Sequence, residues 1–545
     1  MSSKNHTLCL ADGAVRVPET QNLNSVKLWG EYAIWGLLFY DDQSPWLTVV
    51  EALHICFDRK EQRQPVFASR NSAGTSPEHE TLTYRLRLNN PLRHMLFRDR
   101  EVVKIAAGQS IDDRARWKAW METVGRDYEG LELGFLQQRF ATFGEMARSV
   151  ELLRTAEIEA HSAKRWTSRH LLPLGPDMLF ADVNAKDSLD RKFMRRTGEM
   201  LYLMLNRAKG RDELGMLIDE RLLSGEGPWN RLARRLGGDD TAAVGNTNIG
   251  YLPIPTHRIY DRLAEDWNAL LSLKNIPVEN VLDPLERMSG LFQMLYILER
   301  AQETIGDGVA IPPFFLDLLG APGNNPVRKL SANQFKRHKS MPTDAVGAFI
   351  DAFEASEEWQ QVLASAAGGK EATDLLAARF LWRPSRSPNP DWMPTPDEQL
   401  SDMRMHAQSS KGHSITSTLS NHAKHVGMLR SIRRSGTWYA PNDAFLEALV
   451  LANVTTPMDF GDFLDRLMVR YNIVVGPEEV RTAFNIKTGA LPAPLADLKE
   501  NERRLEDRLR VLGFLDRKSD DCAFVINPFY EAAPASSGAD SLVNA

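Results

Sequence analysis

The chain has 545 residues, 43% of them hydrophobic and 25% charged, and a formal net charge of −6. That length exceeds what one hydrophobic core organises, so several domains are expected. The negative balance excludes a global attraction to nucleic acid and leaves only local basic patches for that role. Cys9, Cys56 and Cys522 lie far apart with no CxxC pair, which argues for a reducing compartment and against a disulfide framework or a cysteine zinc site.

Met1 to Ala14 is polar and lacks the apolar stretch of a secretory signal. The longest apolar runs, 33–40 and 200–205, fall far short of the roughly 18 residues a membrane span needs. A cytoplasmic protein with no membrane partner is expected. The predicted fold is mainly α and multidomain, in six segments. These are a small α+β N-terminal module (1–110), a central helical bundle (111–310), a helical connector (311–381), a Pro-rich linker (382–400), a winged-helix-like region (401–530) and a disordered tail (531–545).

In the first segment, Leu47-Thr48-Val49-Val50 and the alternating 81–88 stretch read as strand or mixed structure, separated by a polar loop over 59–80. Met200 to Asn206 is apolar nearly all round and predicts a helix buried inside a bundle. A loop rich in Gly, Asp and Thr is expected over 237–250. Leu285, Met288, Leu291, Phe292, Leu295 and Leu298 fall at helical spacing, so 281–304 predicts an amphipathic helix with Pro284 in its first turn. Prolines and glycines over 306–345 mark a junction, and prolines 384, 388, 390, 394 and 396 a clearer one.

Beyond the linker, 421–431 predicts a helix leading into a basic turn at Arg433-Arg434 and a strand-like Trp438-Tyr439. Asn442-Asp443 supplies an N-cap for a helix running to Asn453. Phe460, Phe463, Leu464, Leu467 and Met468 form one face of the next. A basic helix over 497–513, an acidic turn at 518–521 and one strand over 522–527 then complete the order in which a winged helix is written. In the basic helix Leu498, Leu505, Leu509 and Leu512 share a face, with Arg503, Arg504, Arg508 and Arg510 opposite and Lys518 just beyond. Arginine forks suit phosphates and guanine edges. The alternative is a solvated face, since Glu500 with Arg504 and Glu506 with Arg510 have ordinary i,i+4 spacing. From 404 to 434 there are six Lys or Arg, four His and no acid, a second element suited to phosphate, with Trp438 and Tyr439 placed to stack on bases. DNA is the partner these residues predict, through Arg433, Arg434, Arg503, Arg504, Arg508, Arg510 and Lys518.

Catalytic signals are sparse. Arg165 and His170 fit an R-x4-H pattern that resembles HEPN-family ribonucleases, where a helix presents Arg and His to a scissile phosphate. The bland reading is a helix end running into the 172–177 turn. His413, His422 and His425 have no carboxylate or cysteine nearby to complete a metal site. Signatures of P-loop ATPases, kinases and α/β-hydrolases are missing. No metal and no cofactor are expected.

Several segments together resemble large proteins of bacterial anti-phage defence islands, of the methylation-associated or BREX-like kind. They are Arg165-Trp166 with 172–177, Arg196-Thr197-Gly198-Glu199 leading into 201–205, Tyr251-Leu252-Pro253, 263–267 and 295–301. The resemblance implies a subunit working beside a methyltransferase, an ATPase or a nuclease, and supplies no catalytic residues. The expectation is a non-catalytic DNA-binding or scaffolding subunit. The alternatives are a nuclease effector using Arg165 and His170, and a protein-binding adaptor without nucleic-acid affinity.

Overall fold

A computed structural model of the chain describes residues 8–11, 13–15, 17, 25–36, 43–67, 82, 84–97, 99–108, 112–127, 133–158, 170–181, 196–237, 243–246, 251–306, 308, 310–320, 325–385, 393–409, 415–433, 436–487, 489–519 and 522–530. It is mainly helical, with twenty-one α-helices and nine short strands among those residues. No described helix is long and apolar enough to cross a membrane. Two compact units are present. One comprises Met1–Ala264, Phe292–Ala310 and Lys339–His422, the other Glu265–Leu291, Ile311–His338 and Ala423–Ala545. Residues 68–80, Arg165, Arg434 and the tail from 531 lie outside the described residues, so expectations on them are not addressed.

In the first unit, 47–50 is helical, not extended. The helix Pro45–Glu61 starts from an extended Ser44, with Pro45 in its first turn, and nearly every residue to Asp58 is buried. A helix covered on all sides loses its 3.6-residue pattern, which is why a short apolar run there imitates a strand. The helix Thr197–Arg207 is buried along its whole length, as its composition predicts. These two helices approach closely at Gly198. A Cβ there would sit 2.4 Å from the Glu51 Cβ and 2.7 Å from the Ala52 backbone nitrogen. The Glu51 carboxylate accepts from the backbone N–H groups of Arg196 and Gly198, both at 2.9 Å. It thus satisfies orphan donors at a helix N-terminus, where negative charge is favoured. Glu199, fully buried, accepts from the Tyr84 hydroxyl at 2.8 Å and pairs with the Arg196 guanidinium. Arg196-Thr197-Gly198-Glu199 is therefore a docking element for a helix start.

Tyr84 opens strand β1 (Tyr84–Arg87), as the alternation predicts. Its partner β2 (Ala243–Asn246) falls where the sequence reads as loop, with Tyr84 opposite Asn246 and Arg87 opposite Ala243. The loop expectation is corrected by a pairing that spans about 160 residues of chain, which no local pattern reveals.

The second unit holds the remaining strands. Strand β3 (Phe314–Phe315) pairs in parallel with β7 (Ile473–Val474). β4 (Leu429–Ile432) and β5 (Gly436–Tyr439) form a hairpin. β6 (Met458–Asp459), β8 (Leu515–Ser519) and β9 (Cys522–Val525) form an antiparallel sheet in the order β6-β9-β8. The helix Asp443–Asn453 has Asn442 as its N-cap, whose Oδ1 accepts from the Phe445 N–H at 2.9 Å. The helices Phe460–Tyr471 and Leu495–Val511 also form where the leucine spacing places them. Three details differ from expectation. The helix expected over 421–431 ends at His425, and 429–431 belong to strand β4. Residues 515–519 form a strand that pairs with 522–525, so the helix is followed by a hairpin and not a lone strand. Pro284 sits seven residues into the helix Val278–Ile305, past its first turn. There its missing N–H leaves the Asn280 carbonyl without the usual partner.

The core of this unit gathers Phe315, Val327, Leu330, Val474, Val480, Ala493 and Leu498. Polar groups pin 311–320 to it. Asn501, fully buried, donates to the Leu316 and Val475 carbonyls (2.9 and 3.0 Å) and accepts from the Leu318 N–H at 2.8 Å. Asp317 accepts from the Leu319 N–H, the Asn325 amide and the Arg328 guanidinium. The Tyr439 carbonyl accepts from the Asp317 N–H at 2.9 Å. His338 Nε2 lies 2.6 Å from the Pro312 carbonyl, which can only accept, so Nε2 carries the proton and Nδ1 accepts from the Tyr439 hydroxyl at 2.7 Å.

Two outcomes follow from this packing. Gly198→Ala should lower stability by about 1–3 kcal/mol or more, because backbone as well as side chain blocks the added methyl. Urea denaturation reads this, and an unchanged midpoint would contradict the close approach. Burial lowers the His338 pKa to about 4, against about 6.5 for an unfolded histidine. Between those values the unfolded chain holds a proton that the native state does not, so this site's contribution is full above about 6.5 and is lost as pH falls toward 4. Stability of the wild type minus that of His338→Gln should shrink across that window, and a pH-independent difference would count against the neutral, buried imidazole.

Candidate nucleic-acid interface

Arg503, Arg504 and Arg510 share the solvent side of the helix Leu495–Val511, with Leu498, Leu505 and Leu509 buried opposite and Arg508 and Leu512 only half-buried. Each is engaged by an acid. Arg503 donates to both oxygens of Glu500 at 2.8 Å and to Asp507 at 2.7 Å. Arg504 donates to Glu500 at 2.8 Å, and Arg510 to Asp507 at 3.2 Å. Hydrogen bonds from Arg503 and Arg504 hold the Glu500 carboxyl down at about 2, so it stays charged. Arg508 reaches off the helix to Asp443 and to the Pro441 carbonyl at 3.0 Å. Lys518 pairs with Asp516. Asp497, Glu500, Glu502, Glu506 and Asp507 balance Lys499, Arg503, Arg504, Arg508 and Arg510. The formal charges of the helix therefore cancel, and its arginines contact phosphates and release counterions only by leaving their acids.

The 404–434 element divides differently. Arg404 is bound by Asp351 and Glu354, and His422 is buried with Nε2 at 2.6 Å from Gln293. Lys424, Arg430 and Arg433 are exposed. Trp438 and Tyr439 are only 1% and 2% exposed, so the stacking expected of them is corrected to core packing. The Arg328 guanidinium lies over the Trp438 ring, 4.4 Å from its centroid, and the indole N–H is buried without an acceptor.

These groups meet in a cleft of about 530 Å³ inside the second unit. Its walls include Asp317, Arg328, Lys424, Arg430, Trp438 and Arg508, with Pro441 and Asn442 at the start of the helix Asp443–Asn453. Four cations thus face one carboxylate. Asp317 is spent on Arg328 at 3.1 Å and Asp443 on Arg508, leaving Lys424 and Arg430 as the two cations of the wall with no acid partner among the described residues. The positive end of a helix adds to the same field. Gly427, at φ +85°, closes the turn into the hairpin, and a Cβ there would strike the Asn442 side chain at 2.3 Å. The first unit has a larger concavity of about 840 Å³, but its Arg300 and Arg379 are matched by Glu303 and Glu358.

Of the nuclease pair only His170 lies within the described residues. It is not on a helix but next to the Glu157–Leu171 bridge, and at 2% exposure its imidazole faces the Phe180 ring and not solvent. No cluster of three or more His, Cys, Asp or Glu that could hold a metal is found among the described residues. No protein-family model matches the chain, nor does any curated protein or solved structure. The cleft's chemistry alone guides the reading. Arg328 was missed from sequence because it stands about 75 residues before the start of the basic run. Arg430 and Lys424 sat within that run, but only the fold separates them from its neutralised members.

Proposed function

We propose that this chain is a DNA-binding subunit of a bacterial anti-phage defence complex, and that its C-terminal region is a winged helix. The defence setting rests on the sequence resemblance. Support for the winged helix is the order of helix Asp443–Asn453, β6, helix Phe460–Tyr471, helix Leu495–Val511 and the β8–β9 hairpin, closed by a β6-β9-β8 sheet. The observation that carries DNA binding is the cleft beside it, with two cations that have no acid partner among the described residues and Arg433 exposed at the hairpin turn. Phosphate contact is placed there, and the neutral face of helix Leu495–Val511 follows as a secondary contact.

A salt series from 50 to 300 mM with duplex DNA tests this. The wild type should bind with a steep salt dependence. Lys424→Glu/Arg430→Glu should reduce the slope of log K against log salt by about 2, close to one unit for each lost phosphate contact. Arg503→Glu/Arg510→Glu should change it less. The reverse ranking would return the contact to the helix, and no binding at 50 mM would leave a protein-binding adaptor as the better account.

A further inference from the structure

We propose that the cleft is a receptor for a phosphate monoester, the terminal phosphate of a nucleic-acid strand, an inference that rests on the nucleic-acid reading above. Charge matching leads to it. With Arg328 and Arg508 each holding a carboxylate, the wall retains two positive charges, on Lys424 and Arg430. A phosphodiester inside a strand brings one negative charge. A terminal phosphate brings close to two at neutral pH, with three acceptor oxygens. The dianion neutralises the wall, while the diester leaves one cation unpaired.

Shape points the same way. The opening of about 530 Å³ has the size of a small-ligand site, which suits one terminal phosphate with its nucleotide. The pocket is built from rigid parts. Asp317 is fixed by three donors, Arg328 is stacked on a buried Trp438, and the 443–453 helix is capped by Asn442. Arg328 and Arg508 then serve as positioning charges whose carboxylates keep them oriented, with Lys424 and Arg430 as the groups that grip. The buried indole N–H of Trp438 lacks an acceptor and lies in the same wall, an added donor should the site tighten around an anion.

The test uses the full chain and three probes in parallel: a single-stranded oligonucleotide with a 5′-phosphate, the same strand with a 5′-hydroxyl, and a closed circular duplex without ends. The phosphorylated strand should bind about tenfold tighter than its hydroxyl twin, the effect of one additional charge-assisted contact. In Lys424→Gln/Arg430→Gln that preference should vanish. A preference below twofold, or one that survives in the double variant, overturns the proposal. The circular duplex reports separately on the DNA-binding reading. If it binds while the end preference is absent, the cleft proposal fails alone. If it does not bind while the preference stands, the duplex-binding reading fails and the cleft is kept. Competition by a nucleoside 5′-monophosphate separates a free nucleotide from a strand end. An end receptor predicts that the mononucleotide competes much more weakly than the phosphorylated strand, and equal competition would overturn the strand-end assignment.

Discussion

Everything that gives the second unit its shape turns on how the segment 311–320 is held. Its two-residue strand β3 is too short to stand by pairing alone. Asn501, Asp317, Tyr439 and His338 supply the rest, and each is buried with its hydrogen-bonding capacity directed at that segment or at the chain that abuts it. Satisfied buried networks of this kind fix a unique arrangement, because any slip leaves a polar group without water or partner. Asn501 ties 316–318 to helix Leu495–Val511, and Tyr439 ties it to the hairpin. The cleft is a by-product of that bracing. Arg328, the pair Lys424 and Arg430, and Arg508 come from three separate stretches of chain, and only a rigid 311–320 brings them to one wall.

A second theme is the difference between charge and available charge. Helix Leu495–Val511 shows five basic residues, and in one dimension it looks like a recognition helix. In three dimensions each of its outward arginines meets a carboxylate. Such exposed pairs contribute little to stability, yet they remove the field that would draw a polyanion. The cleft has fewer cations but a surplus, and it is the surplus that matters.

Much of the helical structure was legible in the sequence, and for identifiable reasons. Asn442-Asp443 before an apolar run located the helix Asp443–Asn453 to within a residue, since a cap is a local hydrogen bond written in local residues. The leucine spacing located the helices Val278–Ile305 and Leu495–Val511 to within about three residues at their ends. What the sequence concealed was non-local. The partner of β1 lies far down the chain, and the helix Pro45–Glu61 is buried on every side and so shows no polar face to set its period. Of the candidate site, Arg508 stands in the cleft wall and Arg433 beside its hairpin, while Arg503, Arg504, Arg510 and Lys518 are held by acids. Sequence spacing shows the i,i+4 acids but not the Asp443 that reaches Arg508 from another helix.

The most direct measurement is backbone hydrogen–deuterium exchange of the full chain with and without a 5′-phosphorylated oligonucleotide. Protection should concentrate at 317–320 and 424–433, with helix Leu495–Val511 changed little. Protection confined to 503–510, or absent from the cleft segments while the oligonucleotide is bound, would contradict it.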